Sequence, residues 1–336
     1  MLSIKDVHAR DAFVVPDKCA GLYYVFCNDM TVKAQTGPAE GVDYFTTRDF
    51  ETFEGPFRAY SLPKDAVGHI TNGAPEMHFY KGKWYMFDQI YGGYLYKDGT
   101  CKVDPDAVMG DYVFVSDKVT GPYKVISDGP VTPNYPCLDG TFFVDKEGQP
   151  WMVYSHEWTD LQAGAFEAVR LTDDLSASFG EPVHMFSANE PDWAVGSFDR
   201  WPGYEHLFAG EPFWVTDACF MFYDKGGGLC TLWSSRIGND YIHTFSRSKT
   251  GELAGPWEHE QGAPMWGEGH DGGHAMLFKK FDGSDMIIFH HPDKFTHERL
   301  AVYPIEYTDF GIRLADDTRP EDVHLGKPIG WKPEDK

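Results

Sequence analysis

An all-β chain folded as a five-bladed β-propeller, one domain over residues 1–336, is what the sequence predicts, and three observations predict it. Short runs of aromatic and β-branched residues, closed by Gly, Pro, Asn and Asp, fill the chain, and helical periodicity is nearly absent. Pairs of these runs are joined by Gly-containing turns, as in hairpins. A polar turn that leads into Gly and Pro returns at longer intervals, as a blade repeat would.

The strands come in order. Leu22-Tyr23-Tyr24-Val25-Phe26, Lys83-Trp84-Tyr85-Met86-Phe87, Trp151-Met152-Val153-Tyr154, Leu229-Cys230-Thr231-Leu232-Trp233 and Met286-Ile287-Ile288-Phe289 each follow a Gly within a few residues. Three have a visible hairpin partner upstream: His78-Phe79-Tyr80 before Lys81-Gly82, Thr141-Phe142-Phe143-Val144 before Gly148, and Met276-Leu277-Phe278 before Asp282-Gly283. The slower repeat runs from Thr47-Arg48-Asp49 to Gly55-Pro56, from Ser116-Asp117-Lys118 to Gly121-Pro122, from Thr172-Asp173-Asp174 to Gly180-Glu181-Pro182, and from Ser246-Arg247-Ser248 to Gly255-Pro256. At roughly 65 residues per unit, 336 residues hold about five blades. A β-sandwich would also use short strands, but it gives no reason for one turn to close each unit. No Ser/Gly linker or charge block divides the chain.

Composition narrows the function. With 29 Lys+Arg against 52 Asp+Glu the net charge is −23, which disfavours a phosphate backbone and an acidic membrane surface as partners. No apolar run is long enough to span a bilayer as a helix, and no cationic-then-apolar leader opens the chain. The 10 Trp, 18 Tyr and 25 Phe are too many for a disordered acidic chain. Six cysteines without a CxxC pair (Cys19, Cys27, Cys101, Cys137, Cys219 and Cys230) read as free thiols, mostly buried, and point to a reducing cytoplasm.

In a propeller the innermost strands start at the axis, where a ligand can sit. Three candidate inner strands carry a carboxylate beside apolar sequence: Arg10-Asp11-Ala12-Phe13, Cys137-Leu138-Asp139-Gly140-Thr141 and Gly210-Glu211-Pro212-Phe213-Trp214. A lone Asp there could cap a turn or pair with an arginine. Several at equivalent places, facing one cavity, are what acid and base catalysis of glycosidic cleavage requires.

At this level of detail the chain resembles glycoside hydrolase family 43. Arg10-Asp11-Ala12-Phe13 is similar to that family's Arg-Asp-Pro-Phe, Ala74-Pro75-Glu76 to its Ala-Pro-Glu/Asp, and Leu138-Asp139-Gly140-Thr141-Phe142-Phe143 to its Ile-Asp-Pro-X-Phe-Phe; Leu232-Trp233-Ser234-Ser235, Gly255-Pro256-Trp257 and Gly272-Gly273-His274 follow in the family's order. The resemblance implies a five-bladed propeller and an inverting hydrolase with Asp11 as general base, Asp139 as the carboxylate that orients the acid and tunes its pKa, and a Glu as general acid. The family's Glu-Gly-Pro or Asp-Gly-Pro meets Gly210-Glu211-Pro212 here, shifted by one residue. Glu211 is therefore the expected acid if a bulge restores its direction. Glu157, in Tyr154-Ser155-His156-Glu157-Trp158, is the substitute donor or a ligand for a sugar hydroxyl.

Trp158 is expected as a stacking platform for a sugar ring or as blade packing. Arg299 resembles an arginine that lines the pocket in part of the family, and a surface ion pair with Glu298 is the bland alternative. His274 resembles an axial histidine that stands beside a calcium or its waters, so a structural calcium is an open expectation; no redox or organic cofactor is implied. His290-His291 reads as structural or pocket-lining. The expected activity is an exo-glycosidase on oligosaccharides ending in a pentose, α-L-arabinofuranosidase ahead of β-xylosidase and β-galactofuranosidase. A propeller that binds sugar without cleaving it is the alternative.

Overall fold

The computed structural model describes residues 1–28, 39–199, 202–238, 240–266, 271–294 and 297–315. It is the five-bladed propeller the sequence predicts, with five antiparallel sheets following one another along the chain. From the axis outward, blade 1 holds Phe13–Asp17, Leu22–Asn28, Gly41–Thr47 and Thr52–Ser61, with Leu2–Ser3 added at its outer edge. Blade 2 holds Thr71–Tyr80, Lys83–Tyr91, Gly110–Ser116 and Lys124–Val125. Blade 3 holds Cys137–Val144, Pro150–His156, Ala165–Leu171 and Ser178–Ser187; blade 4 holds Asp217–Tyr223, Leu229–Ile237, Asp240–Ser248 and Trp257–His259. Blade 5 holds Gly273–Lys279, Asp285–His291, Arg299–Thr308 and Gly311–Leu314. The tail of the expected 1–336 domain, 316–336, lies outside the described residues.

The five aromatic-rich runs legible in the sequence are the second strands of the five blades, and the polar turns that lead into Gly and Pro join third to fourth strands in blades 1 to 4, with the Gly and Pro themselves inside the fourth strand in blades 1 and 3. In blade 5 that connection is the tight turn at Asp309-Phe310, so a ring of five shows the repeat four times. Blades pack through large apolar side chains. Between blades 3 and 4, Phe186 lies 5.2 Å from Phe166 and 5.5 Å from both Trp233 and Trp257, ring centre to ring centre. Burying each such ring contributes roughly 2–3 kcal/mol. All six cysteines are free, and Cys27, Cys137, Cys219 and Cys230 are buried. Among the described residues no helix is long and apolar enough to cross a membrane.

The last blade is latched to the N-terminal segment. His8 forms a bridge with Arg299, whose guanidinium donates to the Lys5 carbonyl at 2.8 Å and to those of His297 and Glu298 at 3.0 Å, and meets His8 Nδ1 at 2.9 Å. Arg299 is 3% exposed and is absent from the wall of the axial cavity. The expectation of a pocket-lining arginine is thus corrected: its donors are consumed in closing the ring.

One backbone feature recurs at every inner strand. Asp11, Ala74, Asp139, Ala218 and His274 have φ of 53°, 52°, 55°, 58° and 56°, the left-handed region that costs a non-glycine residue about 1 kcal/mol or more. In blades 2 to 5 the residue sits in a bulge of the inner strand. A side chain of the preceding blade then accepts its N–H. Ala74 donates to Asn28 Oδ1 at 2.7 Å, Asp139 to Gln89 Oε1 at 2.6 Å, Ala218 to Asp139 Oδ2 at 2.8 Å and His274 to Ser234 Oγ at 2.9 Å. These bonds satisfy amides that the bulge takes out of the ladder.

Candidate active site

The kinks surround the top of the axis, and there a cavity of about 700 Å³ opens. Its floor carries Asp11 from blade 1, Asp139 from blade 3, Asp217 from blade 4 and His274 from blade 5, and Glu157 and Trp158 stand on its wall. The segment after the small hairpin of Gly93–Leu95 and Cys101–Val103 supplies another wall through Pro105, Val108 and Met109.

Asp11 is buried and heavily partnered. Its Oδ1 faces His274 Nδ1 at 3.1 Å and His290 Nδ1 at 3.3 Å, and its Oδ2 accepts from Asn28 Nδ2 at 2.8 Å and lies 3.5 Å from Arg10 Nε. Burial alone would favour the neutral acid; His274, Arg10 and His290 outweigh it and hold Asp11 well below the usual carboxylate range. Burial pushes His274 itself down to about 4, against the pull of Asp11. At neutral pH the standing positive charge beside Asp11 is therefore that of Arg10, with His290 raised by its bonds to Asp11 and Asp293 against burial. Asp293 anchors this side of the site, meeting Arg10 at 2.6 Å, His290 at 3.3 Å and Arg236.

The other carboxyls are pushed the opposite way. Burial first, then repulsion from Asp217 and Asp11, raises Asp139 well above its ordinary value. Burial raises Asp217 to about 7 against the pull of Arg236 and Arg10. Glu157, 7% exposed, rises to about 8 through burial and the neighbouring Asp217. One carboxylate is thus kept ionised while its neighbours hold protons, the division that acid and base catalysis needs.

Asp11, Asp139, Glu157, Trp158 and His274 come together at this cavity, and Glu211 does not. Glu211 is exposed, in a turn where its N–H donates to the Phe208 carbonyl at 2.9 Å. Phe213 and Trp214, which follow it, lie in the connection between blades 3 and 4 and belong to no blade sheet; Phe213 bridges to Ser197 in that connection and Trp214 to Ala163 in the loop before the third strand of blade 3. The inner strand of blade 4 begins instead at Asp217, so a bulge at Gly210 has no strand on which to act. Trp158 is 2% exposed, stacks on Phe213 at 4.0 Å and meets Tyr204 at 5.9 Å, so packing takes up nearly all of its surface at the cavity wall.

Sequence reasoning missed Asp217 and gave Arg10 no role of its own, while His290, read as structural or pocket-lining, is buried and faces Asp11 and Asp293. The signal for Asp217 was present: Asp217-Ala218-Cys219 opens one of the longest apolar runs and places a small residue after the acid, as Asp-Gly-Pro does. A hard cation wants about six to eight oxygens. Near His274 stand Asp11 at 3.1 Å and Asp139 at 3.9 Å, both on one ring nitrogen, and among the described residues no three His, Cys, Asp or Glu side chains converge as a cage. These donors do not by themselves make a calcium site.

The model of glycosyl hydrolases family 43 matches residues 4–312. The chain belongs to that family. Among solved structures, an endo-arabinase from Bacteroides thetaiotaomicron VPI-5482 is 28% identical over 93% of this chain and 99% of its own, with a TM-score of 0.76. An exo-1,5-α-L-arabinanase from a bovine ruminal metagenomic library (17% identical, TM-score 0.62, covering 93% and 98%) and an α-L-arabinofuranosidase from Lactobacillus brevis (14%, 0.64, 98% and 100%) share the fold. No curated protein sequence matches. As a family 43 member the chain is a glycoside hydrolase whose substrate is a carbohydrate.

Proposed function

We propose that this family 43 hydrolase is an inverting, exo-acting glycosidase that removes a terminal pentose, α-L-arabinofuranose first among the candidates, from short neutral oligosaccharides. The observation that carries the reading is the opposite tuning of Asp11 and Asp217 across one cavity. Asp11, ionised, takes a proton from a water on one face of the sugar ring. Asp217, protonated, gives its proton to the departing oxygen on the other. In inverting enzymes the two carboxyl groups stand roughly 6.5–9.5 Å apart to admit that water. Asp139 accepts the Ala218 N–H at 2.8 Å, which ties it to the backbone beside the acid.

Four carboxyl side chains in the cavity, with Arg10 already engaged by Asp293 and Glu298, favour an uncharged substrate over a uronate or sugar phosphate. The wall beyond the Gly93–Leu95 hairpin supports an exo mode. Six free thiols support a reducing compartment, where short imported oligosaccharides are the natural substrates. A calcium at the axis, if bound, would draw its oxygens from water and backbone, and no step here depends on it.

The test is a panel of aryl pentosides, with proton NMR of the first-formed sugar and chromatography of the products from linear arabinan. The anomer opposite to the cleaved bond and monosaccharide as the first product are expected. The retained anomer rejects the water-mediated mechanism, and oligosaccharides as first products reject the exo mode.

A further inference from the structure

We infer that Asn28 is a positioning residue for Asp11: one amide ties the carboxylate of blade 1 to the kinked backbone of blade 2 and sets the direction from which Asp11 meets its water. This rests on Asp11 being the general base.

Asn28 ends the second strand of blade 1 and lines the catalytic cavity. Its Nδ2 donates to Asp11 Oδ2 at 2.8 Å while its Oδ1 accepts the Ala74 N–H at 2.7 Å. Only one orientation of the amide serves both partners, because a carboxylate needs a donor and an N–H needs an acceptor. Ala74 sits in the bulge between Gly73 and Glu76, outside the strand ladder, so its N–H depends on Asn28. The backbone of blade 2 thereby fixes the amide, and the amide fixes the carboxylate.

The corresponding residues elsewhere do only half of this. Gln89 accepts the Asp139 N–H but directs its own NH₂ to the Tyr91 hydroxyl at 2.5 Å. Ser234 accepts the His274 N–H at 2.9 Å. Asn28 alone of these three turns its donor on a carboxylate of the floor. The Oδ1 of Asp11 faces His274 and His290 of blade 5 at 3.1 and 3.3 Å without a well-aligned hydrogen bond, so the Asn28 bond on Oδ2 is the directed contact that opposes rotation of the group about its Cβ–Cγ bond. A base that rotates keeps its charge but loses alignment with the water, which lowers turnover without weakening substrate binding.

The test is a double-mutant cycle on the full chain with an activated aryl glycoside: wild type, Asn28→Ala, Asp11→Asn and the double variant, each checked by circular dichroism and thermal melting. Asn28→Ala is expected to lower kcat about 10- to 100-fold with KM within about 2-fold, and to cost nothing further in the Asp11→Asn background. Asn28→Asp keeps an acceptor for the Ala74 N–H, so it holds the fold should Asn28→Ala not, but it sets a second carboxylate against Asp11. Its kcat should fall at least as far.

A loss confined to KM, losses that multiply in the double variant, or wild-type turnover in Asn28→Asp would each overturn the inference. Unchanged turnover in Asp11→Asn alone would instead remove the base assignment on which it rests, and the cycle reads that corner separately.

Discussion

Blades 3 and 4 enter the catalytic cavity through the same backbone kink with different residues. In blade 3 the left-handed residue is Asp139, and the residue before it, Leu138, is apolar; in blade 4 the left-handed residue is Ala218, and the residue before it is Asp217. Blade 1 follows blade 3, with Asp11 at the kink itself. A bulge sets two residues against one and breaks strict alternation, so either neighbour can face the axis. The kink fixes where chemistry can stand, and the side chain on each of its two residues decides which of them carries it.

The sharpest way to break this comparison is at the acid. Asp217→Asn should slow an alkyl or disaccharide glycoside about 10²- to 10⁴-fold and spare an aryl glycoside with an activated leaving group. The wild type should lose kcat/KM as pH rises through about 7, where Asp217 surrenders the proton it must donate, and the variant should lack that limb. If Asp217→Asn keeps its rate on poor leaving groups while Glu157→Gln loses it, the donor stands on the wall of blade 3 and the parallel between the blades fails.

A second variant separates the latch from the floor. Arg299→Ala removes the contacts to Lys5, His8, His297 and Glu298 and leaves buried carbonyls unsatisfied, which should cost about 2–4 kcal/mol of stability in urea unfolding. Below its melting temperature the variant should keep its KM and most of its kcat. A KM raised tenfold with stability intact would return Arg299 to the pocket. The smallest effect is expected at Glu211: as an exposed turn residue, Glu211→Gln should leave both kinetic constants within about 2-fold, because surface substitutions cost about 0.5 kcal/mol or less. A leaving-group-dependent defect there would reinstate it as the acid.

The fold was legible because hairpins and Gly-Pro turns are local. Leu22-Tyr23-Tyr24-Val25-Phe26 and its four counterparts announce second strands whatever packs on them, and blade 5 lacked its turn signal only because Asp309-Phe310 closes it tightly. Asp11 and Asp139 were legible for the same reason, each standing beside its own strand. Asp217 was hidden by the long connection from Ser187, whose Phe213-Trp214 imitates an inner strand but, among the described residues, is bridged to Ser197 and Ala163 and joins no blade sheet. The roles of Arg10, Asn28, His290 and Arg299 could not be read locally, since their partners come from other blades or from the opposite end of the chain.

The hairpin of Gly93–Leu95 and Cys101–Val103 forms a two-stranded sheet of its own. The kinked residues and the side chains that accept their amides all lie on blade strands or immediately before one. Inheritance can therefore lengthen, shorten or exchange this rim without disturbing the floor. Grafting the segment from Gly93 to Met109, which includes the lining residues Pro105, Val108 and Met109, between relatives is accordingly a route to a new preferred sugar or chain length with the chemistry left intact.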